Sequence, residues 1–243
     1  FAKYLGQFPS PLLSDKQIVW GNITKQYALN YNHKENNVII GGSPRHDNFF
    51  NYTSSKSENG IILLATTGTM FLSSDSCSTN SQIKYDNYIR EIYRIVKSLP
   101  NKKLVIKSHP SQILKKFVKD LIDEIDPSIE LVENLTNQEL FSNCEMLITF
   151  NNSTTTLEAM SLNTPVISLQ TENWAKEDDI AQSDAIVSIS KINDCEDAIK
   201  KILYDTEFKK SLLEKSQLFL KNYMSNPGNS SSSVVKLLKN LIN

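Results

Sequence analysis

The residues able to do chemistry gather in three short stretches: Thr66-Thr67-Gly68-Thr69, Lys107-Ser108-His109-Pro110, and Asn151 to Thr156 with Glu158 just beyond. Each follows an apolar run of strand character, and in an open parallel sheet ligands bind beyond the carboxyl ends of the strands. Asn152, Ser153, Thr154 and Thr155 donate hydrogen bonds from short side chains and let backbone amides approach an anion. A helix starting there adds a positive dipole end, which suits phosphate or diphosphate. The same hydroxyl residues also serve as plain helix caps. Glu158 reads two ways: as a dipole or capping-box partner, or as the acceptor of both hydroxyls of a ribose whose phosphates rest on the helix. His109 precedes a proline that keeps its backbone extended, so the ring projects at a strand end. It is either a structural or exposed histidine or, with Lys107 two residues earlier, a phosphate contact.

The elements that must position these loops follow from periodicity. From Gly60 onward apolar strands alternate with helical patterns, which predicts crossover units and a doubly wound, Rossmann-like parallel α/β sheet. Strands are expected at 60–65, 103–106, 130–132 and 147–150, as a second strand of that last unit bounded by Thr164-Pro165, and at 185–189. Helices are expected at 84–99 (Tyr85, Ile89, Ile92, Tyr93 and Val96 on one face), 112–125, 137–144 with Thr136 as N-cap, and from Ser153 or Thr154 through Glu158. Three more follow at 193–204, 208–223 and 234–242, with Ser230 to Ser233 as an N-cap region of the last. Before Gly60, an irregular entry around Pro9 and Pro11 leads to a strand at 16–20, a helix at 24–31 and a strand at 37–40. That is about one β-α-β unit, too small for a core of its own. The polar stretch 51–59 reads as a linker.

Composition narrows the partners. With 26 Lys+Arg against 27 Asp+Glu the chain has no broad basic field for nucleic acid. Its apolar runs fall far short of the roughly 18 residues of a membrane span. Cys77, Cys144 and Cys195 are odd in number and lack CxxC spacing, so they read as reduced thiols. His33, His46 and His109 show no metal-ligand spacing. GxGxxG, Walker and GxSxG sequences are all absent, which sets aside dinucleotide dehydrogenases, P-loop enzymes and α/β-hydrolases. The chain starts on Phe1, which fits a fragment of a longer protein.

Four segments carry a family resemblance. Gly42-Ser43-Pro44-Arg45-His46-Asp47 resembles the G-x-P-R-x-D junction of CDP-glycerol glycerophosphotransferases and related surface-polysaccharide glycosyltransferases of the GT-B type. Lys107-Ser108-His109-Pro110 resembles their K-x-H-P segment, Asn152 to Ala159 their S-S/T-x-x-x-E-A segment, and Pro227-Gly228-Asn229-Ser230-Ser231 the D-G-x-A-S stretch before their last helix. The four occur in family order over residues 16–243.

The resemblance implies two Rossmann-like domains: residues 1–58 would be the end of the acceptor domain and the hinge, with Pro44, Arg45 and Asp47 at the junction. Residues 59–243 would be the donor domain, the last helix, 234–242, crossing back. By the same resemblance His109, Ser153 and Thr154 contact the donor phosphates, with Lys107, Asn152 and Thr155 beside them, Thr67 and Gly68 line the diphosphate, and Glu158 holds the ribose. The base lies near Asn134 to Thr136. The implied function is a nucleotide-activated glycosyl- or glycerophosphotransferase of surface polymer synthesis, without cofactor or metal, its donor CDP- or CMP-linked with UDP-linked as the alternative. The acceptor would be a glycan or a lipid-linked chain, the location cytoplasmic or at the inner face of the membrane with room for peripheral association. The catalytic base is expected in an upstream part, so the isolated chain would turn over nothing. Two other readings stand: a UDP-N-acetylglucosamine 2-epimerase-like isomerase, whose usual glycine pair is here Thr154-Thr155, and a noncatalytic nucleotide-sugar-binding domain.

Overall fold

A computed structural model of the chain describes residues 14–31, 33–53, 59–66, 79–110, 112–151, 153–171, 176 and 178–242. Thr67, Gly68, Asn152 and Cys77, and most of the proposed linker, lie outside them. The apolar runs form a six-stranded parallel sheet of β3 (Ile61–Ala65), β4 (Lys103–Lys107), β5 (Glu130–Val132), β6 (Met146–Phe150), β7 (Val166–Leu169) and β8 (Val187–Ile189). Its order is β5-β4-β3-β6-β7-β8, so the winding reverses between β3 and β6.

Both faces are covered, as continuous apolar strands require. Successive side chains of a strand point to opposite faces. On one face Ile62, Leu64, Leu104, Ile106, Met146 and Ile148 meet α3 (Thr79–Ser98), α4 (Gln112–Ile125) and α8 (Cys195–Tyr204). On the other Leu63, Ala65, Val105 and Leu147 meet α5 (Asn137–Ser142), α6 (Thr154–Ser161), α7 (Asp179–Gln182) and α9 (Thr206–Tyr223). Each fully buried Leu or Ile contributes roughly 2 kcal/mol.

The first fifty residues give β1 (Gln17–Val19), α1 (Asn22–Asn30) and β2 (Val38–Ile40), the strands paired parallel in a separate two-stranded sheet. Their own cluster is only Val19, Tyr27, Ala28 and Val38, while Trp20 and Ile23 pack with Phe49 into the larger core. The junction after β2 is a 3-10 turn, Pro44–His46, running into the single helical turn α2 (Asp47–Phe50).

Four sequence expectations are corrected. Helix α1 begins at Asn22, before Thr24, because extended Gly21 caps it and its N–H donates to the Thr24 hydroxyl at 2.9 Å. Helix α3 begins at Thr79, five residues before the expected start at 84. Helix α5 stops at Ser142, short of Cys144. The serine run is no cap: α10 (Ser230–Ile242) starts at Ser230, and its first N–H groups are received by a carboxylate 183 residues earlier. Asp47 Oδ1 accepts from Ser230 N at 2.9 Å and Oδ2 from Ser231 N at 2.7 Å. Glycines let this end of the chain close in. A Cβ on Gly41 would stand 3.0 Å from Val234 Cγ2, and one on Gly42, at φ +91°, 2.3 Å from the Ser225 carbonyl oxygen. The last helix therefore lies back against the end of β2.

Candidate functional site

The site is assembled at the strand ends flanking the β3/β6 reversal, where an open α/β sheet opens a crevice. Thr66, just past β3, donates its N–H to the Lys107 carbonyl at 3.0 Å and accepts the His109 N–H on its hydroxyl at 2.7 Å, which ties the first two loops together. Past β6 the chain reverses at Asn151, whose φ of +53° lies in the left-handed region that asparagine tolerates. Its side chain receives the Thr171 N–H at 2.9 Å and donates to the Thr171 hydroxyl at 2.9 Å, and Ser168 donates to its carbonyl at 2.7 Å. Braced in this way, the loop delivers the N-terminus of α6 to the crevice. Ser153 is the N-cap, its hydroxyl accepting from Thr155 N at 3.4 Å and from the Thr155 hydroxyl at 3.0 Å.

Glu158 lies too deep in α6 to close a capping box with Ser153, so that alternative falls away. Its side chain is only 2% exposed, and both oxygens are engaged. Oε2 accepts from Asn137 Nδ2 at 2.5 Å, and Oε1 from Arg45 Nη2 at 3.2 Å. The same guanidinium nitrogen stands 3.5 Å from the Thr154 hydroxyl at the start of α6. Burial raises the Glu158 pKa, opposed by the Asn137 hydrogen bond and by the charges of Arg45 and Lys107. Lys107 is half-buried, and that burial lowers its pKa against the pull of Glu158. Burial, then the Lys107 charge, lowers the His109 pKa below its ordinary value, so near neutral pH the ring is an uncharged donor and acceptor.

The structure thus brings Lys107, His109, Ser153, Thr154, Thr155 and Glu158 to one edge. Arg45 and Asn137 join them. Arg45, which the resemblance placed at the hinge, reaches from there into the crevice, and its partner stands 113 residues away. Asn137 was missed; the cue was its place at a helix start just past a strand end, beside Thr136. Thr136 itself is committed to α5: its hydroxyl accepts from Glu139 N at 3.2 Å, and its N–H donates to the Glu139 carboxylate at 2.8 Å. Thr136→Ala should cost about 1 kcal/mol in a urea denaturation, the usual worth of an N-cap; a change below a few tenths would show the reciprocal cap to be idle. Among the described residues no group of three or more His, Cys, Asp or Glu side chains is placed to hold a metal ion. No helix among them is long and apolar enough to cross a membrane.

Solved structures share this architecture. The chain superposes on the S. aureus MnaA-UDP co-structure with a TM-score of 0.71 at 17% identity, covering 95% of this chain and 62% of that one. For the Neisseria meningitidis UDP-GlcNAc 2-epimerase bound to UDP-GlcNAc the TM-score is 0.69 at 17% identity, with 99% and 67% covered. For a variant of the wall teichoic acid polymerase TagF it is 0.58 at 15% identity, with 94% and 58% covered. The chain therefore spans about three-fifths of the length of such relatives. At these identities the likeness concerns the fold, which is the Rossmann-like fold of GT-B enzymes. No curated protein sequence matches. A family model described as LIC12162 family transferase matches residues 7–185, and because that match takes in most of the sheet and all of the crevice, the chain belongs to this transferase family.

Proposed function

We propose that this chain holds the nucleotide of an activated donor for a glycosyl- or glycerophosphotransferase that builds a surface polysaccharide or related polymer. In that reaction an acceptor hydroxyl oxygen bonds to the transferred group as the group's bond to the nucleotide phosphate breaks. The observation that carries the reading is the buried Glu158 carboxylate, one turn inside a hydroxyl-capped helix N-terminus at the reversal of the sheet. Ser153, Thr154, Thr155 and His109 receive phosphate, Lys107 lends charge, Glu158 and Asn137 take the ribose, and the base rests near Thr136. The donor is CDP- or CMP-linked, on the resemblance of Lys107 to Pro110. The transferase family match and the teichoic acid polymerase among the structural relatives support this reading. The separate small sheet and the docking of α10 on Gly41 support residues 1–58 as the end of an acceptor domain and hinge, and 59–243 as the donor domain. A glycan or lipid-linked acceptor, met at the cytoplasmic face of a membrane, completes the proposal.

Titration calorimetry tests it. CDP or CMP should bind, and Glu158→Gln should weaken the nucleotide about 10-fold or more, equivalent to about 1.4 kcal/mol. His109→Ala should weaken it as well. Absence of binding by CMP, CDP and UDP alike, or unchanged affinity in both variants, would overturn the assignment. A second reading, an isomerase acting on UDP-N-acetylglucosamine, draws on the higher TM-score of the epimerase relative. It predicts UDP over CDP, and release of a free epimer without any acceptor.

A further inference from the structure

We propose that Arg45 is a specificity-determining residue of this site: its guanidinium binds the distal phosphate of a diphosphate-linked donor and makes the site prefer nucleoside diphosphates to monophosphates. This rests on the nucleotide-binding reading above and narrows the donor to the diphosphate-linked class.

Arg45 stands at the positive end of a helix with the single Glu158 carboxylate as its counter-ion. Arg45 Nη2 lies 3.5 Å from the Thr154 hydroxyl, at the positive end of α6, where a helix repels cations and attracts anions. Lys107 contributes a second positive charge that acts on the same carboxylate. Two cations and about half a charge from the helix end, against one carboxylate, leave a surplus of about +1.5. The diphosphate bridge of a linked donor carries two negative charges, whereas a monophosphate diester carries one. The diphosphate is the better complement.

Geometry agrees. The Arg45 side chain is 64% exposed, whereas that of its partner Glu158 is 2% exposed, so the guanidinium reaches the carboxylate from the open side of the crevice. Nη2 makes both contacts with α6, which leaves the Nη1 N–H groups at the free end of the guanidinium to donate to a second acceptor. Nη1 can donate to a phosphate oxygen while Nη2 keeps the carboxylate. A phosphate on the first turn of α6 would lie against Ser153 and Thr154, and the next phosphate outward would fall to Arg45. Because Arg45 belongs to the junction after β2, a diphosphate would also pin that junction to α6.

The test is calorimetry of CDP against CMP, and UDP against UMP, on the wild-type chain, Arg45→Ala and Arg45→Lys, each with its thermal midpoint measured. The wild type should prefer the diphosphate by about 10-fold or more, as a charge-assisted hydrogen bond implies. Arg45→Ala should reduce that preference to within about threefold through loss of diphosphate affinity, with monophosphate affinity moved by less than about threefold. Arg45→Lys should fall between, keeping the charge without the fork. Retention of the preference in Arg45→Ala, its absence from the wild type, or an equal loss for both nucleotides would overturn the assignment to Arg45 while the nucleotide site stands. Failure of every nucleotide to bind the wild type would instead overturn the reading on which it rests.

Discussion

Replacing Asp47 with alanine is expected to destabilise the protein by about 3 kcal/mol, from two charge-assisted hydrogen bonds and one helix dipole. The carboxylate is buried and receives the N–H groups of Ser230 and Ser231 at 2.9 and 2.7 Å. Without it these two donors at the start of α10 lose their acceptor, and Ser230 is itself buried. Burial alone would raise the Asp47 pKa, but the hydrogen bonds from Ser231 and Ser230 outweigh it, and the net shift is downward. A carboxyl with a depressed folded pKa contributes stability that is present above its unfolded value and is lost as pH falls through the folded one. The difference between wild type and Asp47→Ala in urea denaturation should therefore be full at pH 7 and shrink only below about pH 4. Asp47→Asn, with one acceptor oxygen, should lose about half as much. Hydrogen exchange should locate the damage in the first turn of α10. A difference under about 0.5 kcal/mol at pH 7, the range of an ordinary surface change, would show that α10 holds without this cap.

That contact also shows why part of the structure could not be read from local pattern. The strands were legible because a parallel sheet covered on both faces demands continuous apolar segments, and Ile61–Ala65 is such a segment. Helix α4 was legible end to end, since its amphipathic period runs unbroken from Gln112 to Ile125. Helix α10 was misjudged by four residues: Ser230 to Ser233 have the composition of a cap, and nothing near them announces that the cap comes from Asp47. Thr136 and Ser153 were recognisable as caps because their partners lie two or three residues away. Arg45 and Asn137 illustrate the same limit in the site. Each is polar at a helix or turn start, and only the folding of distant loops onto one sheet edge joins them to Glu158.

The residue between Arg45 and Asp47 gives the second large effect. His46 is fully buried, its Nδ1 2.7 Å from the Ser43 hydroxyl and its ring edge-on to Trp20 at 5.2 Å. Burial, reinforced by the Arg45 charge and opposed by Asp47, lowers its pKa to about 4. In the unfolded chain the ring takes up its proton near 6.5. The folded state resists that proton, so the stability due to a neutral His46 is complete above pH 6.5, declines as pH falls toward about 4, and is flat below. The gap between those two values corresponds to about 3 kcal/mol. His109, also depressed, adds to the decline, and Glu158, whose pKa is raised, works against it. Both remain in a His46→Gln variant, so the variant isolates the one histidine. Between pH 7 and pH 4 the wild type should lose about 3 kcal/mol more than His46→Gln in urea denaturation, whatever the substitution costs at pH 7. Parallel curves would mean that the junction opens to let His46 charge in place. The consequence reaches the crevice, because Arg45 and Asp47 flank this ring in sequence: acid that expels His46 from between Trp20 and Phe49 should also release Arg45 from Glu158 and α10 from its cap.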